Sequence, residues 1–344
     1  MIRPSALWRF AMRRLLVSLA FVSFFATGFW AWSQSIDDIH VVPKGESRDG
    51  SDESITSELN LHTRPLRADV DLVLVPVTVT DTLNRPVLSL RQEDFKVYDG
   101  TVQQQVRYFS REDAPISVAL VLDCSASMKN KIEYEYQALR EFLSNANSDD
   151  EYFAVAVSDK PKLIATSTDT IGTMQDRLAA AQAKGRTALF DAIYLAISQL
   201  RTARYQRRAL LIISDGGDNT SRYTRGEIKS VIAEADVLTY AIGIFDEESI
   251  PLLKSIEEKM GRDWLSELTD ASGGRTIAAD DRHRIPEIAA MVSRELRNQY
   301  LLGYRPANSV HDGKWHRITV KVAPAADTTR LHLYYRERYR SPVE

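Results

Sequence analysis

The sequence predicts an α/β fold: a doubly wound, mostly parallel sheet with helices on both faces, flanked by N- and C-terminal β segments that pair into a small β-sandwich. Three observations lead there. Between residues 115 and 297, near-continuous apolar runs alternate with amphipathic stretches, as expected of strands buried on both faces and the helices that cover them. On either side of that region the hydrophobic period falls to two. The chain has 344 residues, 44% apolar and 26% charged, enough for one large or two modest folded units. Global disorder, a collagen-like repeat and a multi-span membrane protein are excluded. A lone cysteine, Cys124, excludes an intrachain disulfide and a cysteine-only metal cage.

Taken in order, residues 1–33 carry Arg3, Arg9, Arg13 and Arg14 and no acid, and Leu15 to Trp32 is an uncharged apolar run. This reads as an export signal. Cleavage before Gln34 and retention of residues 15–32 as a membrane anchor stay open as alternatives, since the length falls between the two classes. Either places the body in the periplasm, in the cell envelope or outside the cell. Residues 34–67 are polar and aperiodic, a flexible linker. Without the leader the chain holds 40 basic and 47 acidic residues, a net of −7, which gives no electrostatic reason for nucleic-acid binding.

Residues 68–112 form the first β segment, with strands expected from Val70 to Thr80, Phe95 to Tyr98 and Gln103 to Tyr108, and a tight turn at Asp99-Gly100. The α/β region, 115–297, offers strands at 117–122, 152–157, 163–165, 209–213, 237–244 and 275–278. Its helices are expected near 131–146, 173–184, 188–204, 225–235, 249–271 (interrupted) and 285–299. Strands at 299–304, 315–322 and 331–335 make up the last β segment, 298–340. Neither β segment is large enough to close a core alone, so the α/β region is expected to sit in a loop of a shared sandwich.

Three polar loops follow from this order. The first α/β strand runs out into Asp123-Cys124-Ser125-Ala126-Ser127, a D-x-S-x-S sequence. Lys184-Gly185-Arg186-Thr187 opens a helix, and Ser214-Asp215-Gly216-Gly217-Asp218-Asn219 follows the most apolar strand. In a doubly wound sheet ligands sit beyond the carboxyl ends of the strands, so all three meet at one rim. Carboxylates and hydroxyls are hard oxygen donors suited to Mg²⁺, with Mn²⁺ or Ca²⁺ as alternatives.

The trio resembles the three-part metal-ion-dependent adhesion site of von Willebrand factor type A domains over roughly 115–297. The flanks, Asp94 to Gly100, Tyr300 to Pro306 and Asp312 to His316, look like a bacterial exported group of such proteins. The resemblance implies that Ser125, Ser127 and Thr187 ligate the metal through hydroxyls, and that Asp123 and Asp215 bind it directly or through water. It further implies a partner protein that presents an acidic side chain to the metal, no catalysis, and contact with a membrane only through the N-terminal segment. A metal-stabilised structural envelope protein is the alternative, with a metal-dependent hydrolase behind it, since no histidine lies in the three loops.

Other residues carry plainer expectations. Asp191, Asp218 and Asn219 are read as braces and turn residues, and Cys124 as a half-buried spacer. The Asn219-Thr220-Ser221 sequon is read as unused. Trp315, Tyr334, Tyr335 and Tyr339 are expected to fill the sandwich, and Arg336, Arg338 and Arg340 to form a solvated edge.

Overall fold

The structure is a computed structural model describing residues 72–342 except 112, 182, 246–251, 280, 308–311 and 324–329. The leader and the linker fall outside the described residues. The valine-rich first strand, β1 (Val73–Thr80), buries Val75, Val77 and Val79 on one face and Thr78 and Thr80 on the other. It is followed by β2 (Phe95–Asp99), β3 (Val102–Gln104) and β4 (Val106–Ser110). The expected single strand from Gln103 to Tyr108 is divided at Gln105: β3 pairs with β2, and β4 joins a different sheet. Once Asp99-Gly100 has turned the chain, a short break lets it cross between facing sheets.

The α/β region contributes strands β5 (Ser117–Asp123), β6 (Glu151–Val157), β7 (Lys162–Ala165), β8 (Arg208–Ser214), β9 (Leu238–Ile244) and β10 (Thr276–Ala279). Its helices are α1 (Ile132–Ser144), α2 (Ile171–Ala179), α3 (Leu189–Arg201), α4 (Arg225–Ala235), α5 (Leu252–Ser272) and α6 (Ile285–Arg297). The sheet runs β10-β9-β8-β5-β6-β7. Even-numbered side chains of β5 face α1, α2 and α6, and odd-numbered ones face α3, α4 and α5. All pairs are parallel except β6–β7, which is antiparallel. The connection from Val157 to Lys162 is too short for a crossover helix, so β7 turns back as a hairpin edge. The interruption expected within 249–271 is also absent, because α5 runs unbroken from Leu252 to Ser272.

After α6 the chain returns to β structure in β11 (Tyr300–Tyr304), β12 (Trp315–Val322), β13 (His332–Tyr335) and β14 (Arg338–Arg340). Two four-stranded sheets result, β13-β1-β11-β4 and β14-β12-β2-β3. Each mixes strands from both ends of the chain, and one core joins them, built on Val75, Val77, Phe95, Val97, Tyr300, Leu302 and Ile318. Two aromatic and basic residues depart from expectation. Trp315 is 44% exposed, not filling the sandwich, whereas Tyr339 is buried and its hydroxyl donates to Asp99 at 2.7 Å. Arg336 is not merely solvated: it pairs with Asp236 and donates to the Leu74 carbonyl at 2.7 Å. A strand end beside a helix C-terminus leaves that guanidinium little water and two acceptors.

Candidate metal site

The rim forms where β5 and β8 end side by side, in register from Ser117↔Arg208 to Leu122↔Ile213. One residue further, the fully buried Asp123 meets Ser214, whose hydroxyl donates to its carboxylate at 2.6 Å. The other carboxylate oxygen accepts the Ser125 amide at 3.0 Å. That bond curls the chain so that the Ser125 and Ser127 hydroxyls lie 3.0 Å apart, Ser125 buried and Ser127 exposed. On β8, Ser214 also accepts the Gly216 amide at 2.9 Å, while the Asp215 carboxylate accepts that of Gly217 at 3.1 Å.

The Thr187 loop is stapled to both neighbours. Lys184 N–H donates to Cys124 O at 3.0 Å, and Ala126 N–H donates to Gly185 O at 3.1 Å. On the other side the Thr187 carbonyl accepts the amides of Asn219 and Thr220 at 3.0 and 3.2 Å, and its own amide donates to the Asn219 side chain at 3.1 Å. Thr187 itself is 5% exposed. Loops from three distant parts of the chain are therefore fixed to one another at the carboxyl edge of the sheet.

Burial and mutual repulsion of carboxylates set the electrostatics of the rim. Burial, then the charge of Asp215, pushes the Asp123 carboxyl up to about 6 from its ordinary 3.8, against the pull of the Ser214 and Ser125 hydrogen bonds. Behind it Glu135 is fully buried on α1 and accepts the Asp123 amide at 2.7 Å. Burial, then Asp123, holds Glu135 well above the usual carboxylate range. Its second carboxylate oxygen has no hydrogen-bond partner among the described residues. Among the described residues no three His, Cys, Asp or Glu side chains are placed to hold a metal ion together, so what the rim offers is two carboxylates and hydroxyls. Such a donor set fits a hard divalent cation better than a soft one.

With this geometry in place, residues 118–217 match the family model of the von Willebrand factor type A domain. That stretch is a von Willebrand factor type A domain. An uncharacterised protein of Borreliella burgdorferi is 22% identical over 187 residues, 49% of this chain and 55% of that protein. The chain thus spans about half the length of the curated relative it matches. Among solved structures, BatB from Bacteroides thetaiotaomicron is 17% identical, covering 52% of this chain and 98% of that one at a TM-score of 0.42. A von Willebrand factor type A protein from Catenulispora acidiphila is 13% identical over 73% of each chain, at 0.46. Proximal thread matrix protein 1 of the mussel byssus, with a zinc-occupied MIDAS motif, is 15% identical over 58% of this chain and 49% of that one, at 0.42.

Several residues around this stretch turn out to brace the rim. Asp218 accepts the Phe190 amide at 3.0 Å, and Asp191 accepts the amides of Arg222 and Tyr223 at 2.8 and 3.2 Å. Both tie the start of α3 to the loop after β8. Asn219 spends its side chain on Thr187, and Cys124 is buried in the core, its thiol pushed far up by burial. Three supports were not evident in sequence: Ser214, Glu135 and Asp159. Asp159 accepts the Arg186 amide at 2.5 Å and lies so close to Gly185 (φ +83°) that a Cβ there would meet its carboxylate at 2.6 Å. Only Glu135 left a signal, as an acid in line with Leu139 and Phe142 on the apolar face of α1.

Proposed function

We propose that the chain is an exported, non-catalytic protein-binding module in which Asp123, Ser125, Ser127, Thr187 and Asp215 hold one divalent cation. Mg²⁺ is the first choice, with Mn²⁺ or Ca²⁺ as alternatives. The observation that carries this reading is the convergence of three loops at the carboxyl edge of the sheet, with the Ser125 and Ser127 hydroxyls 3.0 Å apart beside the buried Asp123. Carboxylates that repel one another are stabilised by a cation, and an all-oxygen set selects a hard one. A cation held largely by hydroxyls keeps much of its positive field, and attracts a carboxylate from a partner. Export rests on the basic and apolar character of residues 1–33. No helix among the described residues is long and apolar enough to cross a membrane.

The test is a pulldown from an envelope extract with wild type and Asp123→Ala, with and without EDTA, paired with thermal melts in Mg²⁺. A partner retained only in Mg²⁺, and only by wild type, is the expected result. Retention that ignores both EDTA and Asp123→Ala overturns it. Chelation that lowers the melting temperature and leaves the partner bound would favour a structural role for the metal.

A further inference from the structure

Next to the rim, between β7, α2 and the turn after β5, lies an open groove of about 780 Å³. Its walls include Ala156, Ile164 and Ala181, which pack on the same core and give it an apolar floor. The groove and the rim are contiguous: Cys124 lines the groove while its neighbours Asp123 and Ser125 belong to the rim, and Lys184 opens the loop that ends in Thr187. Three cations line it, Lys162, Arg177 and Lys184, and no carboxylate does. Arg177 is already engaged, with Asp169 at 3.0 Å and the Ile164 carbonyl at 3.0 Å. Lys162 and Lys184 are exposed, and among the described residues neither forms an ion pair. On a body whose net charge is −7, a groove with only basic charge marks complementarity to an acidic ligand.

We infer that this groove is the second half of the docking surface, and that the partner segment carries two carboxylates. The first faces the cation. An apolar side chain a few residues along lies on the floor formed by Ala156, Ile164 and Ala181, and the second carboxylate pairs with Lys162 and Lys184. The inference rests on the metal-dependent reading given above and adds the kind of partner. The groove supplies what a lone metal–carboxylate contact lacks: apolar burial, and charges that fix the direction in which the segment runs.

The probe is a random peptide library displayed on phage, panned on the full chain in Mg²⁺ and eluted with EDTA. Wild type is expected to enrich peptides with an acid, an apolar residue and a second acid. Lys162→Gln with Lys184→Gln should keep the first acid and lose selection for the second. A wild-type-selected peptide should bind that variant more weakly, by up to roughly fivefold for each lysine neutralised. Lys162→Glu with Lys184→Glu should select a basic residue in place of the second acid, a gain that misfolding does not mimic. Single-acid peptides, or a second acid still selected by the charge-reversed variant, overturn the inference and leave the metal reading standing. Peptides that resist EDTA and bind Asp123→Ala equally well overturn both.

Discussion

Asp123 is a residue whose charge the fold tolerates poorly. Its carboxyl titrates near 6 when folded and at 3.8 ordinarily, so in the absence of a cation the folded chain holds the proton more tightly. Stability should therefore fall as pH rises from about 4 to about 6, and stay lower above that range. At neutral pH the charge costs on the order of 3 kcal/mol. Asp123→Asn retains an acceptor for the Ser125 amide and removes the charge, so in EDTA its melting temperature should exceed that of wild type. If the proposed site holds Mg²⁺, wild type should gain melting temperature on its addition and the same variant should not. A melt in EDTA no higher than wild type would count against the repulsion. The residues that converge here were legible in sequence because the D-x-S-x-S run and the Asp215 loop are contiguous and follow apolar strands. Ser214 was not, since it matters through Asp123, 91 residues away in the chain. Glu135 showed only as an acid on the apolar face of α1, its role as acceptor for the Asp123 amide 12 residues back emerging with the fold.

At the scale of elements, a pair of glycines sets how closely α5 approaches the rim. Gly216, at φ +78°, would carry a Cβ 2.6 Å from the Gly261 carbonyl, and a Cβ on Gly261 would lie 2.4 Å from the Asp215 carbonyl. Gly261 sits inside α5, where alanine would by propensity gain about 1 kcal/mol. Crowding in the opposite direction costs about 1–3 kcal/mol and shifts the loop that carries Asp215. Gly261→Ala should therefore lower the melting temperature by a few degrees and weaken Mg²⁺ binding, read by titration calorimetry. A more stable variant with unchanged affinity would mean that α5 yields freely. Most elements were readable from their period: Val73–Thr80 from its valine alternation, and Arg225–Ala235 from its amphipathic pattern. Where sequence reading failed, tertiary demands overrode a local signal. Gly261 serves a close contact inside a continuous helix, Gln105 a change of sheet, and the segment between Val157 and Lys162 a hairpin.

Across the whole molecule, the sandwich and the α/β unit share a buried polar junction. The Arg275 guanidinium at the head of β10 pairs with the fully buried Glu295 of α6. It also donates to Asn84 at 2.9 Å and lies 4.9 Å from the centre of the Tyr334 ring. Close by, Thr78 of β1 lies 3.4 Å from the Tyr240 hydroxyl of β9, and Gln299 donates to Thr78 at 3.1 Å. Arg275→Ala leaves the Glu295 carboxylate buried without a cation, and should destabilise the chain by about 3–5 kcal/mol in urea unfolding. Replacing both, Arg275→Met with Glu295→Leu, should recover most of that loss. If the single and double variants unfold alike, the pairing contributes little. The partnership of the two β segments was legible because each was too small to stand alone, but the junction was not, since Arg275 reads as an ordinary strand-end cation.

The placement of the α/β unit between β4 and β11 has a mechanical corollary. β1 lies antiparallel to β11, with Val73 opposite Tyr304 and Val77 opposite Tyr300. Tension applied at Leu72 and resisted at the rim pulls these neighbours lengthwise from opposite ends. Every rung of their ladder is then strained together, as in a lap joint, instead of peeling apart one after another. A load applied at the rim would be opposed by lengthwise shear of the whole ladder.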